Sequence, residues 1–343
     1  MTCLVSVIMP VYNSRNYLKD AVDSILHEKS RDFELLLVDD GSTDGSSVLC
    51  DEIEKQDNRV RVVHKKNGGM CQARNIGIQQ ARGKWIAFAD NDDKVLPGFI
   101  TDNLEIAKKY DCDCLTFGRE WIQVGESNRI QFSIEESPET EKCYYGQNVL
   151  KNYFECNSVS DGVWVRFYKR TFIINNNIKF DESFRSGFED SMFNDMVIKH
   201  ADSYAFNPKC YYIWYRRNSH STSMKISKNR LSSMEKTLSY EFHLLEDAEL
   251  LDKEPKQCGE LFFSRIFDVL VSNHLASKCS YNAQREIYEA MYEIAAPYER
   301  LLNSAPLHFH LQLAKNLLLS RNYPLLYIYL SLGTKAKIVF RLQ

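Results

Sequence analysis

Several features that would assign this 343-residue chain to a special class are scarce or missing. Glycine contributes 14 residues and proline 8, which excludes collagen-like and low-complexity chains. There is no basic excess either, because 43 basic residues face 46 acidic ones and the net charge is −3. A dedicated nucleic-acid-binding protein would normally be strongly basic, so that class is disfavoured. With 44% hydrophobic residues, the chain is expected to fold around a sizeable core.

The ten cysteines include no CxxC pair, so the sequence predicts neither a zinc ribbon nor a thioredoxin-type redox site. We expect them to be reduced thiols in a cytoplasmic protein. Residues 1–4 lack a basic region followed by an apolar one, so no signal peptide is expected. The longest uncharged stretch near the end, residues 322–334, falls short of the ~20 apolar residues of a membrane-spanning helix.

The first hundred residues alternate apolar, strand-like runs with helical periodicity. Strands are predicted at residues 5–9, 33–38, 60–63 and 85–89, with helices between them. This alternation predicts βαβ units in a Rossmann-like, mostly parallel α/β sheet with helices on both faces. Ligands of such sheets bind beyond the carboxyl ends of the strands, where two acidic clusters of this sequence fall.

Beyond residue 219 the strand signals fade, and helices are predicted over residues 231–251 and 261–298, with a break near Pro255. We therefore divide the chain into an α/β domain over 1–224 and a helical region over 225–343. From residue 301 onward there are five basic residues, no acidic ones and repeated leucines. Such a basic amphipathic tail either lies on an anionic membrane surface or packs as a helix pair against the rest of the chain.

The first acidic cluster, residues 90–93, reads DNDD. Its carboxylates repel one another, so gathering them stabilises nothing unless a cation binds. Mg²⁺ or Mn²⁺ prefers such oxygen ligands and usually takes one or two carboxylates together with substrate phosphates. The alternative is a solvated acidic turn.

The second cluster, Asp39 and Asp40, ends the second strand. A carboxylate there suits a base N–H or ribose hydroxyls, although Asp-Gly-Ser is also ordinary turn chemistry. Tyr12, after the first strand, suits stacking on a base or packing in the core.

Four stretches occur in order with matching spacing: VSVIMPVYN at 5–13, ELLLVDDGSTD at 34–44, NGGMCQARNIG at 67–77 and WIAFADNDD at 85–93. Together they resemble the nucleotide-binding half of glycosyltransferase family 2, a family of inverting enzymes with the GT-A fold. The resemblance is dense over residues 4–100 and looser to about residue 224. It implies a GT-A catalytic domain with a nucleotide-sugar half over 1–110 and an acceptor half over 111–224.

The same resemblance implies roles for individual residues. Tyr12 would stack on uracil, Asp40 would accept a hydrogen bond from its N3–H, and Asp39 would lie near the ribose. Asp90 and Asp92 match the DxD motif, in which Asp90 faces the ribose and Asp92 ligates the metal that bridges the diphosphate. The nucleotide site would also include Pro10, Asn67 and Arg74.

Residues 187–190, GFED, resemble the family's ED motif, whose second carboxylate is the catalytic base. In an inverting transfer an acceptor hydroxyl attacks the anomeric carbon as UDP leaves from the opposite face, and one carboxylate removes the hydroxyl proton. We assign this role to Asp190, with Glu189 as the alternative. Asp190 also suits the N-cap of a helix beginning at Ser191, and the two roles are compatible.

Later segments resemble the acceptor side and a closing arm. Asp161 and Trp164 would hold an acceptor sugar by hydrogen bonds and stacking. In the arm at residues 215–221, Arg216 or Arg217 would pair with the diphosphate. His220 there is either a metal ligand or a solvated loop residue.

The sequence therefore predicts a glycosyltransferase, dependent on Mn²⁺ or Mg²⁺, that moves a sugar from a UDP-sugar to a hydroxyl of a glycan acceptor. We expect the acceptor to be lipid-linked and to serve cell-surface polysaccharide or glycoconjugate synthesis. Peripheral association with the inner face of the cell membrane, through the tail, is a further expectation.

Two other functions agree less well with the sequence. A sugar nucleotidylyltransferase would carry a glycine-rich phosphate loop after the first strand, and residues 9–14 contain no glycine. A catalytically inactive carbohydrate-binding homologue would lack the metal or base carboxylates, which are present.

Overall fold

The computed structural model describes residues 3–125, 129–184, 187–217, 228–276 and 281–335. Contacts divide the chain into two compact units. One comprises Met1–Arg185 and Glu189–His220, and the other comprises Ser186–Phe188 and Ser221–Gln343. The first unit is α/β and the second is helical. The domain boundary predicted between residues 224 and 225 falls outside the described ranges.

Within the described part of the α/β unit the strands form one ten-stranded sheet. They are β1 (Val5–Val11), β2 (Phe33–Asp39), β3 (Val60–His64), β4 (Trp85–Phe88), β5 (Lys94–Val95), β6 (Cys114–Val124), β7 (Ile130–Glu136), β8 (Lys142–Tyr145), β9 (Arg166–Lys169) and β10 (Ser203–Arg217). The strand order is β3-β2-β1-β4-β9-β6-β10-β5, with β7 paired to β6 and β8 paired to β10.

The α/β fold class is confirmed, and the sheet is mixed. Strands β3, β2, β1 and β4 are parallel neighbours, as the alternating pattern of the first hundred residues predicts. In the second half β6 and β10 are parallel, whereas β9 runs antiparallel to both β4 and β6. Parallel neighbours need a long crossover connection, and the parallel block ends where the regular strand–helix alternation ends.

Strands β1 and β2 are buried along their whole length, which explains their nearly continuous apolar runs. Glu34 is one of two charged residues in β2, the other being Asp39 at its end. The Glu34 carboxylate pairs with Arg61 at 2.6 Å and accepts a hydrogen bond from the Ser6 hydroxyl at 2.7 Å. The buried charge is thus compensated on both sides, as a carboxylate inside a sheet requires.

The helices of the α/β unit are α1 (Arg15–Leu26), α2 (Ser46–Gln56), α3 (Met70–Gln80), α4 (Thr101–Tyr110), α5 (Gln147–Lys151), α6 (Tyr153–Cys156), α7 (Arg170–Asn175) and α8 (Glu189–His200). Helix α3 packs closely on β1 at Gly77. A Cβ atom at that position would lie 2.3 Å from Cγ2 of Ile8, so only glycine permits this approach. The close packing fixes the height of α3, which carries Arg74, above the sheet.

The helical unit contains α9 (Lys228–Asp247), α10 (Leu250–Lys253), α11 (Pro255–Ala276), α12 (Tyr281–Ala295), α13 (Glu299–Leu302), α14 (Phe309–Leu319) and α15 (Tyr323–Lys335). The predicted break falls at Pro255, the first residue of α11, where a missing N–H costs nothing. Helices α9 and α11 are joined by a buried ion pair in which Arg265 Nε lies 2.9 Å from Glu241 Oε2.

Part of the tail is packed inside the helical unit. Lys315, one of the five bases of the tail, is buried and donates hydrogen bonds to the Leu302 carbonyl at 2.7 Å and to Asn303 Oδ1 at 3.1 Å. Seven of the leucines are also buried, namely Leu301, Leu302, Leu307, Leu311, Leu318, Leu326 and Leu330. No helix in the described ranges is both long enough and apolar enough to cross a bilayer.

Candidate active site

The acidic turn at residues 90–93 follows β4, beside the carboxyl end of β1. The Asn91 side chain donates a hydrogen bond to the Pro10 carbonyl at 2.7 Å and ties the turn to β1. Asp93 is 3% exposed and accepts a hydrogen bond from the Tyr215 N–H at 2.9 Å. The third acid of the cluster therefore anchors β10 to the turn.

Tyr212 of β10 completes this anchor. Its hydroxyl accepts a hydrogen bond from the Asp90 N–H at 2.9 Å and donates one to Asp93 Oδ2 at 3.1 Å. No local sequence pattern distinguishes Tyr212 from its aromatic neighbours in β10, so sequence reasoning cannot identify it. Its 122 positions of separation from Asp90 put the contact beyond any local pattern.

The three carboxylates of the turn have raised pKa values. For Asp90 and Asp93 the chief cause is burial, and repulsion from Asp92 adds to it. Burial likewise raises the pKa of Asp92, against the attraction of Arg217. The turn thus gathers carboxylates whose charges are poorly compensated.

This donor set fits Mg²⁺ or Mn²⁺. The oxygens are hard, two of the carboxylates are partly exposed, and a cation would relieve their repulsion. In the described ranges no group of three or more acidic, histidine or cysteine side chains is arranged to hold a metal ion. A cation here would need further ligands from a substrate.

Arg74 of α3 joins the acidic turn to the ED motif. Its guanidinium lies 3.2 Å from Asp90 Oδ1 and 2.5 Å from Asp190 Oδ1, and the residue is 1% exposed. The rings of Phe88 and Phe180 pack against it, with centroids 6.0 and 5.2 Å from Cζ. A buried cation held by two carboxylates keeps both of them in place, which the resemblance to the family did not suggest.

Asp190 lies in the first turn of α8. The helix begins at Glu189, so Asp190 does not cap a helix starting at Ser191, and that prediction is wrong by two residues. Its second oxygen, Oδ2, accepts a hydrogen bond from the Val163 N–H at 3.3 Å. Burial and the nearby Asp90 raise the pKa of Asp190, while Arg74 and this N–H oppose the rise. A carboxyl group with a raised pKa is suited to accept a proton.

The residues predicted for the base and ribose meet at the ends of β1 and β2. Tyr12 is 51% exposed, and Asp39 is buried, with His64 Nδ1 at 2.9 Å and the Ser42 N–H at 3.1 Å. Although burial opposes the effect, the hydrogen bonds from Ser42 and His64 lower the pKa of Asp39. Asp39 is therefore an anionic group at this edge of the sheet.

Asp40 holds the loop between β3 and α3. It accepts hydrogen bonds from the N–H groups of Gly68 and Gly69, both at 2.8 Å, and from the Lys65 ammonium. Asn67 lies exposed in the same loop. Asp40 thus organises the loop that carries Asn67, in addition to any contact with a base.

Trp164 corrects an expectation from the sequence. Its ring is 6% exposed and stacks on Tyr212 with a centroid distance of 4.5 Å. The backbone of Gly162 lies so close that a Cβ atom there would be 2.5 Å from the indole. Trp164 is a packing residue, because no exposed ring face remains for a sugar. Asp161 accepts a hydrogen bond from the Ser191 hydroxyl at 2.9 Å and ties the segment before Trp164 to α8.

The closing arm is described as far as residue 217. Arg217 lies 3.2 Å from Asp92 Oδ2 and covers the rings of Tyr17 and Tyr215, whose centroids are 4.5 and 4.8 Å away. Arg216 precedes it at the end of β10. His220, the predicted metal ligand, lies outside the described residues.

A mixed α/β sheet with an acidic turn after its fourth strand, followed by a helical region, has the architecture of the GT-A fold. Residues 6–196, more than half of the chain, match the family described as Glycosyl transferase family 2. The chain therefore belongs to glycosyltransferase family 2.

Individual relatives agree with this assignment. The chain is 32% identical over 230 residues to the glycosyltransferase EpsJ of Bacillus subtilis (strain 168), covering 64% of this chain and 63% of EpsJ. It is 44% identical over 114 residues to the glycosyltransferase GlyG of Streptococcus pneumoniae, covering 33% of this chain and 38% of GlyG. The matched region thus spans less than two thirds of either relative.

Among solved structures, TarS 1-349 of S. aureus in complex with UDP-GlcNAc has a similar fold, with a TM-score of 0.71. The alignment covers 97% of this chain and 92% of that one at 20% identity. At this identity the likeness establishes the fold.

Proposed function

We propose that the protein transfers a sugar from a UDP-sugar to a hydroxyl of a glycan acceptor, with inversion at the anomeric carbon. The observation that carries the proposal is the Arg74 bridge between Asp90 and Asp190. It holds a donor-side carboxylate and a proton-accepting carboxylate at one place, as a transfer between two substrates requires. A similar fold solved with UDP-GlcNAc supports a UDP-sugar as donor.

On the donor side, Tyr12 would stack on uracil, and Asp39 and Asp40 would contact the nucleoside. Mn²⁺ or Mg²⁺ would be held by Asp92, and when bound it would neutralise the charge that develops on the diphosphate. Arg217, now beside Asp92, and Arg216 would pair with the same phosphates. Residues 1–110 would thus form the nucleotide-sugar half.

On the acceptor side, Asp190 would remove the proton from the attacking hydroxyl. Its side chain is 20% exposed, whereas Glu189 is buried at the start of the same helix, so Asp190 is the more accessible carboxylate. Arg74 and the Val163 N–H would keep its oxygens oriented. Residues 111–224 would thus form the acceptor half.

The donor can be identified by offering the protein UDP-glucose, UDP-galactose and their N-acetyl derivatives with Mn²⁺ and measuring UDP release. We expect one of these to be hydrolysed at least ~10-fold faster than the others, because a pocket with a single hydroxyl-specific hydrogen bond discriminates by that much or more. Calorimetric titration with UDP and Mn²⁺ would measure nucleotide binding separately. Absence of both UDP binding and UDP release would overturn the proposed function.

We further propose that the acceptor is lipid-linked and that the protein works at the cytoplasmic face of the cell membrane. Helix α15 carries an exposed apolar stripe formed by Leu325, Ile328 and Leu332, which are 49, 50 and 63% exposed. Their spacing of three and four residues puts them on one side of the helix. Lys315 of the tail is buried and contributes no surface charge, whereas this apolar stripe is exposed and suited to contact lipid.

Replacing all three stripe residues by glutamate should release the protein from vesicles of phosphatidylglycerol and phosphatidylcholine. Each apolar side chain kept in water forfeits about 1.5–3 kcal/mol of burial, so co-sedimentation should fall by at least tenfold. Donor hydrolysis should be unchanged. Val48→Glu, at a 59% exposed position of α2, is the matched control and should bind vesicles normally. If the intact protein does not bind the vesicles at low salt, the proposed membrane association through this stripe is wrong.

A further inference from the structure

Three of the four tryptophans lie together near the carboxyl ends of β6 and β10. Trp214 of β10 pairs with Trp121 of β6, and their ring centroids are 6.2 Å apart. Phe132 of β7 adds an edge-on ring at 5.1 Å from Trp121. Trp121 and Trp214 are partly exposed, and Phe132 is 43% exposed. We call these three rings the aromatic platform.

Two polar side chains, Arg119 and Glu136, lie beside the platform. The Arg119 guanidinium sits 5.6 Å from the Trp214 ring centroid and 5.5 Å from that of Trp164. Its Nε donates a hydrogen bond to Glu136 Oε2 at 2.6 Å, so the pair offers both donors and acceptors without a net charge. This balance disfavours a phosphate and suits neutral hydroxyl groups.

The platform is connected to Asp190 through a short turn. Trp164 stacks beside Trp214 at 6.3 Å, and it follows directly on Val163, whose N–H contacts Asp190. Arg119 also donates a hydrogen bond to the Ser160 hydroxyl at 3.0 Å, at the start of the same turn. The platform and the proposed base, Asp190, therefore both contact the turn that carries Val163 and Trp164.

We propose that the aromatic platform is the acceptor subsite and binds one sugar ring of the acceptor glycan. This inference rests on the proposed function and specifies its acceptor. The apolar C–H face of a sugar ring packs on indole rings, while Arg119 and Glu136 form hydrogen bonds with its hydroxyls. A sugar held there would rest beside Trp214, which contacts Trp164 in the turn whose Val163 N–H binds Asp190.

The tryptophan fluorescence of the intact protein measures occupation of the platform directly. Trp85 is fully buried in the core, so a sugar-induced change reports on the cluster. We expect a saturable change with at least one member of a panel made of the methyl glycosides of glucose, galactose and N-acetylglucosamine and their β-linked disaccharides. Phe132→Ala and Trp121→Ala should each weaken that response at least tenfold in affinity. UDP release from the donor in the absence of acceptor should stay within twofold of wild type.

Tyr145→Ala removes an exposed aromatic ring from β8, which pairs with the other end of β10, and should behave as wild type. Thermal unfolding of each variant separates loss of binding from loss of fold. The inference is overturned if no sugar of the panel changes the fluorescence of a protein that releases UDP from its donor, or if the platform variants bind sugar as well as wild type. Sugar binding without any UDP-sugar binding would instead overturn the proposed function and leave the platform as a carbohydrate site.

Discussion

Replacement of Asp190 by asparagine is expected to lower kcat by roughly 10²-fold or more, because the amide keeps the shape but cannot accept the hydroxyl proton. Binding of UDP should be retained, since the asparagine amide oxygen can still accept the hydrogen bond that Arg74 donates to Asp190. Steady-state transfer to the acceptor and calorimetric titration with UDP measure the two effects separately.

The pH profile of the wild-type enzyme gives a second test of Asp190. Burial raises its pKa, so the carboxyl stays protonated to a higher pH than an ordinary aspartate. Since the base must be ionised, kcat/KM should fall with decreasing pH through that raised pKa. Glu189→Gln is the matched variant at the neighbouring position, and it should be mild. A crippled Glu189→Gln beside an active Asp190→Asn would reverse the assignment.

Removal of the divalent cation is expected to abolish transfer, and Asp92→Ala should have the same effect. The developing charge on the departing diphosphate then lacks its main compensation, a contribution worth several kcal/mol. Stability should change little, because Asp92 and Arg217 form a partly exposed ion pair. UDP release measured with EDTA, and with Mn²⁺ restored, checks the first part, and thermal unfolding checks the second.

Asp93→Asn should behave differently from Asp92→Ala. Asp93 is buried and holds Tyr212 and Tyr215, so this change should lower the free energy of unfolding, with a smaller effect on metal-dependent turnover. Undiminished wild-type activity in EDTA would remove the metal from the proposal altogether.

The nucleotide half could be predicted from sequence because its information is local. Each of β1, β2 and β4 is an apolar run that ends at the polar residues it delivers to the sheet edge. The second half is held by pairings between distant segments, such as β9 between β4 and β6, and no periodicity within β9 reveals them. Its mixed strand directions therefore lay beyond sequence reasoning.

The same division applies to the site. The residues of the DxD and ED motifs were identified from short patterns, whereas the contact of Arg74 with Asp190 spans 116 positions. Tryptophan suits sugar stacking chemically, so the sequence alone favours that role for Trp164. Burial decides between packing and binding, and burial depends on which rings the fold places opposite it. Trp121 and Trp214 remain partly exposed, again because of where the fold places the neighbouring rings.

Tyr212 matters for any attempt to change the substrate preference of this protein. Its hydroxyl holds the acidic turn, and its ring supports Trp164, so one side chain supports both the proposed donor site and the turn beside the proposed acceptor subsite. Changes at Tyr212 or Trp164 would alter donor and acceptor use together. The outer rings of Trp121 and Phe132 touch neither the turn nor Asp190 in the contacts described above. New acceptor preferences are therefore best sought by varying these two outer positions while the inner tyrosine is kept.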